Sequence, residues 1–580
     1  MGWADGEGRS AWRTHFRPAF PIKLEGTWCV VGKDSNTPVG GRGVAYREGR
    51  KGNNVRILVC DGMDEAGLAI LKSAEGVQVD VPDQPSAEEV KGMISGYDAV
   101  VVRSRTRITA DILANARGLK VIGRAGTGID NIDLQAASSR GILVMNTPGA
   151  NSMSAAEHTM AMMLSLARHV PQATQSMREG AWEKKRFMGT ELYHQTLGII
   201  GLGKIGSIVA DRALAMKMDV LAHDPHILPE AAAILGVESV SLDELLARSD
   251  FITLHTPSTP ETRRIINRQT LARTKAGVRI INCARGDLVD EEALHAFLVS
   301  GHVAGAALDV FAQEPPTESP LLKLENVIFT PHLGASSVQA QANVSRAIAS
   351  QITDYLLYGI IRNAVNFPSI SPKDYEKLRP YLVLAERLGS LQGQICSPVQ
   401  RLEIEYSGSE LRELPLEPLT QTVIKGLLSP VLAEEVNLVN APLLLKARQV
   451  ELLASTSTES RGYTGMIIVR VKGKQEESSA AGTVFPGGEI RLVRLNNYRL
   501  EAELEGINLI VQNFDKPGTI GFIGTTLGSF EVNIANMHLS RTPERDKAIA
   551  IIRVDDDVPT GAMEALRAHP NIITVQRFKL

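Results

Sequence analysis

Short hydrophobic blocks separated by stretches of helical periodicity fill the chain between residues 55 and about 150. The blocks are Val55 to Val59, Asp98 to Val102, Leu119 to Ile122 and Ile142 to Met145. Apolar runs of this length that alternate with helices are typical of a parallel sheet covered on both faces. The pattern predicts a doubly wound α/β unit that begins at about Val55.

The same alternation continues from about residue 150 to 335 and predicts a second parallel sheet. Its strand-like runs are Leu197 to Ile200, Val220 to Ala222, Phe251 to Leu254, Val278 to Ile281 and Val327 to Phe329. A long helical stretch, Val338 to Tyr358, then leads to Asn363 to Asn366, and we expect it to return the chain to the first unit. The sequence therefore predicts a discontinuous first domain, residues 55–149 and 336–367, around a second domain at 150–335.

Two further units follow Pro368. Residues 368–504 combine a helical stretch, Glu376 to Ile395, with strand-like runs such as Met466 to Val471, which predicts an α+β domain without a catalytic cluster. Residues 505–580 follow the order strand, helix, strand, strand, helix, strand, which is typical of a ferredoxin-like domain. Residues 1–54 show no periodicity and are expected to be a disordered extension.

A glycine-rich turn, Gly201-Leu202-Gly203-Lys204-Ile205-Gly206, joins the first strand and helix of the second unit. Gly201 permits a tight turn, Gly203 lets backbone approach a pyrophosphate, and Gly206 lets the helix pack on its strand. Asp224 ends the next strand-like run, where a carboxylate accepts hydrogen bonds from a ribose and repels a 2′-phosphate. The turn therefore predicts a Rossmann domain that binds NAD rather than NADP, although Asp224 alone could also cap a turn.

Composition narrows the choice of partners. A chain of 580 residues with a net charge of −3 and mixed signs gives no electrostatic reason to expect nucleic acid or a membrane surface. The four cysteines, Cys29, Cys60, Cys283 and Cys396, have neither metal-ligand nor disulfide-scaffold spacing, which favours a reducing cytoplasm and predicts no metal. No apolar stretch approaches the roughly 20 residues that span a bilayer.

Three segments carry a family resemblance: Asn282 to Gly286, Asp309-Val310-Phe311 with Glu314-Pro315, and Pro331 to Ala335. They resemble the three signatures of the NAD-dependent D-2-hydroxyacid dehydrogenase family. Gly123 to Asn131 and the long C-terminal extension are similar to the long-form D-3-phosphoglycerate dehydrogenases within that family. The resemblance implies a substrate domain, a Rossmann NAD domain, an intervening domain of the allosteric substrate-binding type and a C-terminal ACT domain. It also implies oxidation of D-3-phosphoglycerate in L-serine biosynthesis.

Three residue types match the chemistry of oxidising an alcohol beside a carboxylate. His332 suits the base because its ordinary pKa lies near neutrality, and Glu314 can orient it and favour the imidazolium. Arg285 can hold an α-carboxylate with two hydrogen bonds. Each could instead be structural, as a helix cap, a solvated acid and a surface ion-pair partner. All three come at predicted strand ends or in the loops that follow, where parallel sheets place active sites.

The resemblance implies further contacts. Asp309 would meet the nicotinamide carboxamide, Cys283 and Ala284 would offer backbone groups, and Thr127 and Thr256 would line the cofactor site. Arg103 and Arg124 would bind the substrate phosphate, with Asn151 nearby. The alternatives are a turn-capping Asp309, a core-packing Cys283 and two structural arginines.

The ACT resemblance implies a regulatory ligand. Asn513, Asp515 and Asn533 would bind an amino acid, for which L-serine is the logical end product, or these groups could merely cap the helix that begins near Gly518. A homodimer or homotetramer is implied. Two other functions stay open: another D-2-hydroxyacid dehydrogenase, such as a glycerate or hydroxypyruvate reductase, and a non-catalytic NAD-sensing protein.

Overall fold

The computed structural model describes residues 55–368, 370, 372–459, 461–474 and 476–580. The extension predicted to be disordered, residues 1–54, lies outside the described residues, as does Cys29. Within the described residues the chain forms four β-sheets, and their strands follow one another along the sequence without mixing between sheets.

The first sheet contains β1 (Val55–Val59), β2 (Val77–Asp80), β3 (Ala99–Val102), β4 (Val121–Arg124) and β5 (Leu143–Met145). The strands are parallel, in the order β2-β1-β3-β4-β5. Four helices connect them: α1 (Glu65–Ser73), α2 (Ala87–Met93), α3 (Ala110–Ala114) and α4 (Leu134–Ser139). Successive side chains point to opposite faces of a strand, and both faces here are buried in apolar clusters, which explains the continuous apolar runs.

The second sheet contains β6 (Thr196–Ile200), β7 (Asp219–His223), β8 (Glu238–Ser239), β9 (Phe251–Leu254), β10 (Val278–Asn282), β11 (Val303–Leu308) and β12 (Val327–Phe329). Its parallel order is β12-β11-β10-β9-β6-β7-β8. The associated helices are α5 (Ser152–Ala167), α6 (Val170–Arg178), α7 (Lys204–Ala215), α8 (Pro229–Ile234), α9 (Leu242–Arg248), α10 (Arg268–Leu271) and α11 (Glu291–Val299). The order reverses direction at β6, which places the glycine turn at the point where such sheets bind ligands.

Helix α12 (Val338–Tyr358) returns the chain to the first sheet. Its residues Ile348 and Ile352 are buried against that sheet, and a Cβ at Gly123 would lie 2.4 Å from Ile352 Cδ1. Ala364 then bridges to Met145 on β5. The chain therefore crosses between the two α/β halves twice.

The C-terminal units complete the predicted α/β and α+β fold class. The third sheet contains β13 (Val399–Ser407), β14 (Glu451–Ser457), β15 (Met466–Gly473), β16 (Glu477–Val484), β17 (Ile490–Leu495) and β18 (Tyr498–Glu503), with helices α13 (Pro372–Ile395), α14 (Ser409–Arg412), α15 (Glu417–Leu428) and α16 (Ala441–Ala447). The fourth contains β19 (Ile507–Phe514), α17 (Thr519–Ser529), β20 (Ile534–Arg541), β21 (Lys547–Val554), α18 (Thr560–Ala568) and β22 (Ile572–Lys579) in the ferredoxin-like order. We propose that the domains comprise residues 55–149 with 336–367, residues 150–335, residues 368–504 and residues 505–580.

Candidate active site

The glycine turn between β6 and α7 has the geometry of an anion-binding loop. Gly201 has φ +96°, a left-handed conformation that favours glycine, and a Cβ there would lie 2.9 Å from the His255 carbonyl carbon. A Cβ at Gly206 would lie 2.1 Å from the Gly201 carbonyl oxygen, whereas one at Gly203 would meet nothing within 4 Å. Helix α7 starts directly after Gly203, which has no side-chain cap. Open space therefore faces the N-terminal amides of α7, as a bound pyrophosphate requires.

Asp224, at the end of β7, contacts this turn. Its carboxylate accepts hydrogen bonds from the backbone amides of Leu202 and His226, each at 2.9 Å. Asp224 thus caps its own turn and also ties β7 to the glycine turn, so that the two interpretations of this residue are compatible. Each carboxylate oxygen can accept a further bond, and a ribose hydroxyl could supply it.

Other predicted cofactor residues surround the turn. The Oγ1 of Thr256 is buried and has no partner among the described residues, which fits a site that a ligand completes. Lys204 Nζ donates to the Pro148 carbonyl at 3.3 Å, and Ile205 packs on the core beside β6. Lys204 therefore reaches the segment that links the two α/β halves. These residues fit NAD.

His332 and Glu314 form a hydrogen-bonded pair, with 2.9 Å between His332 Nδ1 and Glu314 Oε2. The bond to Glu314 raises the pKa of His332 against the opposing effect of burial, and the neighbouring negative charges raise it further. Burial alone would raise the pKa of Glu314, but the His332 bond and the Phe311 amide hold it below its usual value. Nδ1 is occupied by the carboxylate, which leaves Nε2 for a substrate.

Asp309 fixes the loop that carries His332. Its buried carboxylate accepts hydrogen bonds from the Leu333 amide at 2.7 Å, the Gly334 amide at 2.8 Å and the Thr330 hydroxyl at 2.5 Å. His158 Nε2, on α5, lies 3.2 Å away. Burial raises the pKa of Asp309, but these contacts lower it by more. These hydrogen bonds fit the alternative in which Asp309 caps a turn. A contact between Asp309 and the nicotinamide carboxamide stays a prediction.

Arg285 crosses from the second α/β half to the first. Its Nε donates to Asp130 Oδ2 at 3.0 Å, and its Nη1 donates to the Ala284 carbonyl at 2.7 Å. A Cβ at Gly128 would lie 2.1 Å from Arg285 Nη2, so only glycine leaves room for the guanidinium. The adjacent Cys283 thiol has its pKa raised to about 12 by burial and stays protonated.

Arg124, at the end of β4, faces Arg285 and Arg103. Burial, together with the charges of Arg285 and Arg103, lowers the pKa of Arg124 to about 10. The buried Nε of Arg124 has no hydrogen-bond partner, and among the described residues the Arg103 guanidinium has neither a hydrogen bond nor an ion pair. The charges of Arg285 and Arg103 both disfavour the charge of Arg124 at the end of β4, and a group of positive charges of this kind favours an anion.

The loops that carry these arginines are held together by two residues, Asp61 and Asn131, for which the sequence alone indicated no role. The Asp61 carboxylate accepts hydrogen bonds from the backbone amides of Arg103 and Thr106 at 2.7 and 3.0 Å. Asn131 donates to the carbonyls of the same two residues at 2.7 and 2.6 Å.

Thr127 and Asn151 meet across the first crossing between the halves. The Thr127 hydroxyl donates to Asn151 Oδ1 at 2.8 Å, and the Asn146 side chain donates to the Thr127 carbonyl at 2.6 Å. Asn151 is the N-cap residue of α5 but makes no side-chain capping bond. The structure therefore places the predicted substrate and cofactor residues of this segment side by side.

The predicted effector residues do not converge within one chain. Asn513 pairs with Ala548 at the start of β21, whereas Asn533 donates to Asp555 at 2.6 Å beyond the other end of that strand. Asp515 lies at the Asn513 end and pairs with Arg541 at 3.3 Å. The Oδ1 of Asn513 is buried without a partner among the described residues.

In the described part of the chain, no group of three or more His, Cys, Asp or Glu side chains is arranged to hold a metal ion. Across the same residues, every helix is too short or too polar to cross a membrane.

Known families and proteins resemble this chain over nearly all of its described length. Residues 160–334 match the model for the D-isomer specific 2-hydroxyacid dehydrogenase NAD binding domain, and residues 377–496 match the D-3-phosphoglycerate dehydrogenase intervening domain. The chain is 46% identical to the D-3-phosphoglycerate dehydrogenase of Synechocystis sp. over 90% of this chain and 95% of that protein. It is 38% identical to that of Bacillus subtilis over 90% and 99%. A glyoxylate reductase structure from Paecilomyes thermophila covers 54% of this chain and 98% of its own, with 30% identity and a TM-score of 0.50.

Proposed function

The chain belongs to the D-3-phosphoglycerate dehydrogenases of the D-isomer-specific 2-hydroxyacid dehydrogenase family, and we propose that the cleft between its α/β halves is where the reaction occurs. The enzyme oxidises D-3-phosphoglycerate to 3-phosphohydroxypyruvate with NAD, the first step of L-serine biosynthesis. The observation that carries the site assignment is the position of Arg285, whose charge acts both on Arg124 and on His332 of the His332–Glu314 pair; the charge of Arg103 acts on Arg124 as well.

Each group in the cleft has a role that its contacts support. Arg285 binds the substrate carboxylate, because no acceptor among the described residues occupies its Nη2 or the remaining Nη1 hydrogen. Arg124 and Arg103 bind the phosphate, whose charge offsets their mutual repulsion. His332 Nε2 accepts the hydroxyl proton while Glu314 holds the ring and stabilises the imidazolium. NAD, when bound, accepts the hydride from C2.

We propose the cofactor site from the contacts of its residues as well. Gly201, Gly203, Lys204, Ile205 and Gly206 would hold the pyrophosphate, and Asp224 would hold the adenosine ribose. Residues that would line the nicotinamide end are Thr127, Thr256, Cys283, Ala284 and Asp309. Asn151 would meet the substrate beside Thr127.

The phosphate assignment is tested by substrate selectivity. The ratio of kcat/KM for D-3-phosphoglycerate to kcat/KM for D-glycerate should fall on the order of tenfold or more in Arg124→Gln and Arg103→Gln, since each loses a charged hydrogen-bond donor to phosphate. Lys120→Gln, which removes an exposed positive charge from the same half, is the control. An unchanged ratio in both arginine variants would remove the phosphate role.

Regulation by L-serine through the C-terminal domain is a further part of the proposal. The unsatisfied Oδ1 of Asn513 supports a polar ligand at that end of the sheet. Because Asn533 lies at the other end, the site needs a second copy to bring Asn533 to it. Calorimetric titration with L-serine should show binding to the intact enzyme and weaker binding to Asn513→Ala; no binding to the intact enzyme would exclude the effector.

We also propose a cytoplasmic homodimer or homotetramer. Large apolar side chains are exposed on the segment that precedes β6, among them Met177, Trp182, Met188 and Tyr193. Grouped exposure of this kind is typical of protein interfaces. A second copy of the chain, covering this segment, is the partner we expect.

A further inference from the structure

Asp130 lies on the loop that follows β4, one residue before Asn131. The Asn131 side chain fixes this loop to the carbonyls of Arg103 and Thr106, and the Asn131 carbonyl accepts the Ile108 amide at 2.8 Å. Asp130 is therefore carried by a rigid part of the first α/β half. Its own side chain is 70% exposed, so burial does not account for its position.

The contact that Asp130 makes is to the other half of the molecule. Its Oδ2 lies 3.0 Å from Arg285 Nε, and the two residues are 155 positions apart in the chain. Gly128, two residues earlier, leaves the space that the Arg285 guanidinium fills. The contact uses the one nitrogen of Arg285 that a carboxylate bound at the two Nη groups would not need.

Charge gives Asp130 a second effect, on the neighbouring Arg124. Arg285 lies close enough to disfavour the charge of Arg124, and the Asp130 carboxylate counteracts this repulsion at Arg124. Asp61 is the other acidic group that acts on Arg124, and its carboxylate is already occupied by the Arg103–Thr106 loop. Without Asp130, the Arg285 side chain would lose its anchor and be pushed away from Arg124.

We propose that Asp130 is a positioning residue: from the first α/β half it holds the guanidinium of Arg285 in the orientation that receives the substrate carboxylate. The proposal deepens the function assigned above and rests on it. The interaction also exists only when the two halves are close together, so it couples the orientation of Arg285 to closure of the cleft.

The first test compares Asp130→Asn with the intact enzyme. An exposed ion pair contributes little to folding, so the melting temperature should stay within a few degrees. The kcat/KM for D-3-phosphoglycerate should fall by about tenfold or more, because the Arg285 guanidinium is no longer held in the orientation that receives the carboxylate. The KM for NAD should change less than about twofold. Asp130→Glu should recover part of the loss. Asp83→Asn, an exposed aspartate in the same half, is the control and should behave as the intact enzyme.

A double-mutant cycle separates positioning from a local structural role. Truncation removes the whole guanidinium, so Arg285→Ala removes the contact to Asp130. Adding Asp130→Asn to Arg285→Ala should then cost less than about twofold, whereas independent effects would multiply. Multiplying effects, or an Asp130→Asn enzyme with unchanged kcat/KM, would overturn the proposal.

Binding of tartronate, a hydroxy-dicarboxylate without phosphate, to the NADH-loaded protein gives a readout that does not need turnover. Its affinity, followed by NADH fluorescence, should fall in Asp130→Asn by the same factor as kcat/KM. If the intact enzyme fails to oxidise D-3-phosphoglycerate yet binds tartronate in a manner that depends on Asp130, the substrate assignment fails and the positioning role stands. Tartronate affinity that is equal in both proteins would contradict the positioning role alone.

Discussion

At the scale of single residues, the His332–Glu314 pair sets the pH dependence of the reaction. The pKa of His332 is raised mainly by its bond to Glu314, and oxidation needs the neutral imidazole. The kcat/KM for oxidation should therefore fall as the pH drops through this raised pKa, and the rate of the reverse reduction should change in the opposite direction.

Replacing Glu314 by glutamine tests this assignment. The variant should move the acidic limb of the oxidation profile to lower pH, because the bond that raises the His332 pKa is weakened. The loss of rate on the plateau should not exceed the roughly 10²- to 10⁴-fold that general base catalysis contributes. Profiles of kcat/KM against pH for both enzymes are the measurement, and an acidic limb that stays in place would mean that another group titrates.

The catalytic candidates could be predicted from the sequence because their residue types indicate their chemical roles. His332, Glu314 and Arg285 stand in short motifs at strand ends; in the structure His332 is hydrogen-bonded to Glu314, and Arg285 to Asp130 of the first α/β half. Asp130 and His158 were missed because their partners, Arg285 and Asp309, lie about 150 residues away in the chain. A polar histidine within the buried helix α5 was the one available signal.

At the scale of elements, the turn between β6 and α7 distinguishes a packing glycine from a binding glycine. A methyl group at Gly206 would overlap the Gly201 carbonyl, whereas one at Gly203 would enter open space. Gly206→Ala should therefore lower the free energy of unfolding by about 1–3 kcal/mol, as overpacking does, and Gly203→Ala should leave it nearly unchanged.

The two variants should also differ in how they bind NAD. Gly203→Ala should fold well but bind NAD about tenfold or more weakly than the intact enzyme, because its methyl group takes the place of the pyrophosphate. Thermal melts with and without NAD measure both effects. Normal NAD binding by Gly203→Ala would show that the pyrophosphate lies elsewhere.

The hydrophobic pattern predicted whether a segment is a helix or a strand more reliably than it predicted the residue at which a helix begins. Helix α7 begins at Lys204, within the glycine-rich turn, because the N-terminal residues of a helix need no apolar periodicity when a ligand, rather than the core, faces them. Helix α13 begins at Pro372 rather than Glu376, since proline is well tolerated in the first turn.

At the scale of the whole molecule, the two crossings between the α/β halves could be predicted because a long amphipathic helix followed the second sheet. The contacts between the C-terminal units and the first α/β half could not be predicted from the sequence. Asn437 donates to the Gly141 carbonyl at 2.9 Å and Val439 is buried beside the first sheet, although residues 434–440 carry no recognisable motif. Long-range packing of this kind depends on complementary surfaces rather than on a local pattern.

The proposed oligomer makes a prediction at this scale. Trp182→Lys combined with Met188→Lys should shift the enzyme towards monomer, because both side chains are largely exposed on the expected interface. Ile234→Lys, which adds one lysine at an exposed apolar position on α8, should not. Light scattering after size-exclusion chromatography gives the mass of each, and equal masses for all three proteins would place the interface elsewhere.

The central claim is that one cleft binds a phosphorylated hydroxyacid with its arginines and oxidises it with His332. NADH formation by the intact enzyme with D-3-phosphoglycerate, D-glycerate and D-lactate in parallel, with His332→Ala as the blank, tests it most directly. The account predicts turnover that strongly favours D-3-phosphoglycerate and is lost in the variant. Turnover that favours D-glycerate or D-lactate, or that persists without His332, would contradict it.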